Sequence, residues 1–150
     1  MARIKISLPA SFVFSVSIPV RITDLNYGGH VGNDAILSLV HEARVQYLKH
    51  LEYTELDVAG LGLIMTDAGI EFKNELFYGD VVIVSIACMD FSKFSFDIFY
   101  KLEKVTAQIP DNKKIIVAAA KTGMACYDYA GKKIAMIPEE ARKKLQLPAK

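Results

Sequence analysis

The residues best suited to chemistry crowd into one short stretch. Asp24, Asn26, Tyr27, His30, Asn33 and Asp34 follow one another closely, with Gly28, Gly29 and Gly32 set among them. Glu42 comes nine residues after Asn33. Carboxylates and an imidazole can take and return protons, and glycines let a ligand approach the backbone. If a helix begins at Asn33, its first N–H groups are unpaired and carry partial positive charge. A carbonyl set against them is polarised and a tetrahedral oxyanion is stabilised. A carboxylate or an oriented water then supplies the attack.

Plainer roles stand beside these. Asp24 fits a loop position, and Asp34 is better read as a helix cap. His30 fits a hydrogen-bonded loop histidine. Glu42 resists a structural explanation, because a buried carboxylate on an apolar helix costs several kcal/mol unless it is paired. Arg44, two positions further on, faces another side. His41 and His50 read as structural or exposed, and Lys93 as a solvated turn lysine.

The elements that must position these groups follow from the apolar pattern. Phe12 to Ile22 is rich in Val, Ile and Phe and reads as a strand, with Pro19 marking an edge or a bulge. A helix is expected from Asn33 to His50, with Asn33 or Asp34 as N-cap. Ile36, Val40, Ala43 and Tyr47 form its apolar stripe, and Leu37 and Leu39 widen it until the helix is covered on most sides. Ile70, Phe72 and Leu76 alternate with charged residues as in a half-buried strand. Gly79-Asp80 is a turn, and Val81 to Met89 a strand buried on both faces. Phe94 to Leu102 is another half-buried strand. Pro110-Asp111-Asn112 is a loop, Ile115 to Tyr127 a fifth strand, and Gly131 a turn. Pro138-Glu139-Glu140 opens a short C-terminal helix, its acids first and its bases last, as the helix dipole favours. The whole is α+β: a long helix against an antiparallel sheet, residues 1–150 forming one domain.

Composition narrows the field. Hydrophobic residues make up 52% and charged residues 23% of the chain, which is the balance of a folded protein. A net charge of +1 without clustered Lys and Arg excludes a nucleic-acid partner. The Lys113-Lys114 and Lys132-Lys133 pairs read as loop charge. Cys88 and Cys126 are expected as buried thiols of a cytoplasmic protein. No signal-peptide core follows Met1, and no apolar run approaches the ~20 residues of a membrane span. There is no Gly-x-Ser-x-Gly elbow and no phosphate-binding glycine loop. His41-Glu42 opens like a zinc-protease helix, but Val45 stands where the second histidine belongs. No cofactor and no metal are expected.

The run Val20-Arg21-Ile22-Thr23-Asp24-Leu25-Asn26-Tyr27-Gly28-Gly29-His30-Val31-Gly32-Asn33, followed by His41-Glu42-Ala43-Arg44, resembles the signature of the 4-hydroxybenzoyl-CoA-type acyl-CoA thioesterases. That signature has an Arg, then Asp-x-Asp-x-x-Gly-His-Val-Asn-Asn, then Glu-Ala-Arg on the helix. Weaker matches are Gly79-Asp80, Ser92-Lys93 and Ile137-Pro138-Glu139-Glu140. The resemblance implies a hotdog fold: a five-stranded antiparallel sheet wrapped round a long central helix, paired edge to edge into a homodimer or homotetramer with the site at the interface. The implied substrate is an acyl-CoA or acyl carrier protein thioester, hydrolysed to acid and thiol. The Asn33 N–H would polarise the carbonyl. Tyr27, Gly29 and Lys93 would contact substrate, Lys93 by holding a phosphate.

Two departures matter. Asn26 stands where the family has its catalytic Asp, and Gly32 where it has Asn. The base is then Glu42, with Asn26 and His30 orienting water and carbonyl, or else Asp24. The alternative is a non-catalytic acyl-thioester-binding or regulatory module, and a hotdog hydratase is a third class.

Overall fold

The computed structural model describes residues 2–105 and 113–146. In chain order it has β1 (Phe14–Pro19), a 3-10 turn (Ile22–Asp24), α1 (Asn33–His50) and β2 (Gly62–Phe72). Then come β3 (Val81–Met89), β4 (Ser95–Val105), β5 (Ile115–Asp128), the two-residue β6 (Lys133–Ile134) and α2 (Glu139–Gln146). The strands form one antiparallel sheet in the order β1-β3-β4-β5-β2, with β6 paired to β5.

Period-two alternation builds the inner face of this sheet. Val82, Val84 and Ile86 of β3 and Phe96, Ile98, Tyr100 and Leu102 of β4 are fully buried. They meet the stripe of α1, where Ile36, Leu39, Val40, Ala43 and Tyr47 are buried. Each fully buried Val, Leu, Ile or Phe among them contributes about 1.5–3 kcal/mol. Tyr47 also reaches α2, its hydroxyl donating to the Leu145 carbonyl at 3.2 Å. The sheet thus wraps one face of a helix about 27 Å long, from a rise of ~1.5 Å per residue over 18 residues.

Several expectations need correction. The first strand is shorter than Phe12 to Ile22, because Pro19 ends its ladder and Ile22–Asp24 coils into a 3-10 turn. The helix bounds hold, but its N-cap is Gly32 with extended backbone and no side-chain cap bond. α1 is also not covered on most sides. Leu37 is 39% and Val45 42% exposed, so its outer face is open in the single chain. β2 starts at Gly62, eight residues before the expected strand, and Leu76 lies beyond it. Its alternation failed to show because Thr66, Asp67, Ala68 and Gly69 carry little apolar signal at an edge. β2 pairs with β5, not with the strand that follows it. β3 buries one face fully and the other by half. The loop expected at Pro110-Asp111-Asn112 lies outside the described residues.

Candidate active site

The stretch between β1 and α1 is tied down by its own polar groups. Asp24 is only 5% exposed. Its carboxylate accepts from the Arg21 backbone N–H at 2.8 Å, from Arg21 Nε at 3.2 Å and from Arg21 Nη2 at 2.9 Å. Burial pushes the Asp24 carboxyl up, but the Arg21 hydrogen bonds and charge outweigh it, and the group is held below the usual carboxylate range. The Asp24 carbonyl accepts from Gly32 N–H at 3.2 Å, which closes the loop on itself. Within it, Asn26 Oδ1 accepts from Gly28 N–H at 2.8 Å, an Asx turn. The Asn26 carbonyl accepts from Gly29 N–H at 3.1 Å. Gly29 sits at φ +86°, a left-handed conformation that favours glycine.

This folding delivers the start of α1 with donors to spare. Among the described residues, the N–H groups of Asn33 and Asp34 reach no protein acceptor. Asn33 lines a cleft of about 240 Å³ together with His30, Ile36, Phe72, Asn74 and Glu75. The Val31 N–H donates to the Leu76 carbonyl at 2.9 Å, which fastens one wall of the cleft to the other. His30 Nδ1 lies 3.2 Å from the Val31 carbonyl. A carbonyl only accepts, so Nδ1 is the donor of this bond.

The other expected site residues lie elsewhere in the single chain. Tyr27 stands fully exposed at the loop tip, and Gly29 is exposed beside it. Glu42 is not the buried, desolvated carboxylate expected. It is exposed and accepts from Gln46 Nε2 at 2.9 Å. Nine residues are about two and a half helical turns, and the half turn puts Glu42 on the side of α1 opposite Asn33. There it borders a separate groove against β1, with Ile18, Pro19 and Arg21. Lys93 is in the β3–β4 turn, its carbonyl accepting from Ile137 N–H at 3.0 Å. α2 links that turn to the end of α1, Arg142 Nη2 donating to the Ser92 carbonyl and Lys144 Nζ to the Leu51 carbonyl.

Three features escaped the sequence reading. Glu75, one of the charged residues alternating with Ile70, Phe72 and Leu76, follows β2 and lines the Asn33 cleft. Arg44 is buried at 5% exposure, its Nε donating to Glu55 at 3.3 Å and its Nη1 to the Tyr100 hydroxyl at 3.2 Å. Glu55 also meets His41 Nε2 at 2.7 Å, so His41 is both exposed and paired. An arginine beside an apolar stripe was the one available signal. Nothing in the residues after the helix marked Glu55 as its partner. Both cysteines are free thiols. Burial pushes Cys88 up to about 12 and also raises Cys126, so neither is an activated nucleophile.

Residues 20–145 match the sequence profile of the thioesterase-like superfamily. Solved structures agree in fold. A 1,4-dihydroxy-2-naphthoyl-CoA thioesterase from Synechocystis is 21% identical and superposes with a TM-score of 0.74, covering 88% of this chain and 94% of its own. The 4-hydroxybenzoyl CoA thioesterase of Pseudomonas sp. strain CBS-3 is 13% identical with a TM-score of 0.76, covering 89% and 99%. A hypothetical protein from Aquifex aeolicus is 25% identical with a TM-score of 0.75, covering 89% and 99%. The fold shared with these thioesterases is the hotdog fold. Among curated proteins, none matches the sequence.

Proposed function

The chain belongs to the thioesterase-like superfamily, and from that premise we propose that it hydrolyses an acyl thioester to a free carboxylic acid and a thiol. The observation that carries this reading is the pair of unpaired N–H groups at the start of α1, whose first residue, Asn33, lines the cleft. The thioester carbonyl oxygen accepts from the Asn33 N–H. Water attacks the carbonyl carbon as a base takes its proton, and negative charge gathers on the oxygen facing the helix terminus. The C–S bond then breaks, and the sulfur leaves as the thiol once the proton is returned to it. The thiol belongs to coenzyme A or to an acyl carrier protein. Structures of relatives named for CoA thioesters support the first.

In one subunit neither Asp24 nor Glu42 shares the Asn33 cleft. Either serves as base only by movement or from a second subunit, and Lys93 holds a phosphate only at a partner's cleft. A homo-oligomer with the site at its interface therefore belongs to the proposal. A second reading, a non-catalytic acyl-thioester binder, draws on the Asn26 amide, whose oxygen is occupied by Gly28 N–H. The test is thiol release from a panel of acyl-CoA substrates of differing chain length, aromatic acyl groups included. Turnover on any member supports the hydrolase. Binding without turnover across the panel overturns it in favour of the binder.

A further inference from the structure

We infer that Glu75 is a catalytic base of this site, supplying the carboxylate that Asn26 does not. The inference rests on the hydrolase reading above. It starts from the residues that line the Asn33 cleft: the first residue of α1, His30 and one acidic residue, Glu75.

The backbone around Glu75 is fixed on both sides. The N–H groups of Lys73 and Asn74 donate to the Val117 carbonyl at 2.8 and 3.1 Å, and Asn74 Nδ2 donates to the Ile116 carbonyl at 2.7 Å. Lys104 Nζ donates to the carbonyl of Glu75 itself at 2.8 Å. Leu76 is buried at 1% exposure, and its carbonyl holds the Val31 N–H. The side chain between these anchors is exposed, and among the described residues its carboxylate has no hydrogen-bond or ion-pair partner. Lys73, the neighbouring cation in the cleft, is 3.4 Å from Glu71 instead. A carboxylate with no structural partner, on a pinned backbone and beside the positive end of α1, is placed for work on a ligand.

Its competitors are committed elsewhere. Asp24 is held by three hydrogen bonds from Arg21. Glu42 lies across the helix. Glu75 takes the proton of the attacking water as oxygen bonds to the carbonyl carbon. The electron pair of the breaking C–S bond goes to sulfur, which receives that proton as the thiol forms. His30 Nε2 orients the water.

The experiment compares wild type, Glu75→Gln, Glu75→Asp and Glu75→Ala on a thioester that the wild type hydrolyses. Circular dichroism and the melting temperature serve as checks of fold. Glu75→Gln should lose ~10²-fold or more in kcat with little change in KM, the size of a general-base contribution. Glu75→Asp should recover part of the rate. Added formate should restore part of it to Glu75→Ala, which a purely structural role would not allow. A folded Glu75→Gln enzyme with near-wild-type kcat overturns the inference and leaves the hydrolase standing. A wild type inactive on every thioester removes both.

Discussion

At the scale of the residue, the chemistry depends on which polar groups are already occupied. Asp24 lies in the right stretch of sequence, yet it works as a clasp. Its carboxyl is held below its unfolded value, so the folded state binds fewer protons near that pKa. The stabilisation is therefore complete above the ordinary Asp value of about 3.9 and fades as pH falls through the lowered folded value. Because Arg21 is largely exposed, the contribution is discounted to about 1 kcal/mol. Asp24→Asn should lower the melting temperature by about 2–4 °C at pH 7. The gap from wild type should narrow as pH falls from the ordinary Asp value through the lowered folded one. Melting curves across that range check it. Lost turnover with unchanged melting would instead make Asp24 the base.

At the scale of the element, strong periodic patterns were legible and angular relations were not. The α1 bounds, β3, the inward set Phe96, Ile98, Tyr100 and Leu102, and the acid-first C-terminal helix all followed from period and charge. The start of β2 did not, because an edge strand of Thr, Asp, Ala and Gly has no core face to advertise itself. The site was half legible. Helix-start physics picked out Asn33, which is the first residue of α1 and lines a cleft. Glu42, however, is nine residues from Asn33, and that half-integral number of turns puts it on the opposite face. Glu75 was hidden for the opposite reason. It is remote from the motif in sequence and comes beside it only through the Val31–Leu76 backbone bond. Tertiary contacts of that kind leave no periodic trace.

At the scale of the whole molecule, two sheet edges, β1 and β2, are unpaired among the described residues of one subunit. β2 is the longer at 11 residues, against 6 for β1, which ends at Pro19. Exposed Met65 on β2 and exposed Leu37 and Val45 on α1 extend the apolar surface next to it. Long open edges invite pairing, and a self-complementary edge gives a two-fold dimer. A homodimer, or a pair of them, is expected by sedimentation or light scattering at micromolar concentration. The melting temperature should rise with protein concentration. Glu42 ties to the same scale. Without movement it reaches an Asn33 N–H only across an interface, so a strict monomer that hydrolyses thioesters would argue against Glu42 as its base.

The central claim is that the backbone N–H of Asn33 polarises the thioester carbonyl, and one substitution removes that atom alone from the backbone. Asn33 is the first residue of α1, where proline is tolerated because no intrahelical acceptor is lost. Gly32 before it has φ −71° and ψ 156°, the extended conformation that a following proline requires. The measurement is kcat for Asn33→Pro beside Asn33→Ala, the latter controlling for the side chain. The expected result is a folded Asn33→Pro protein slower than Asn33→Ala by ~10²–10³-fold, the usual cost of one oxyanion donor. Equal rates for the two folded variants would contradict it.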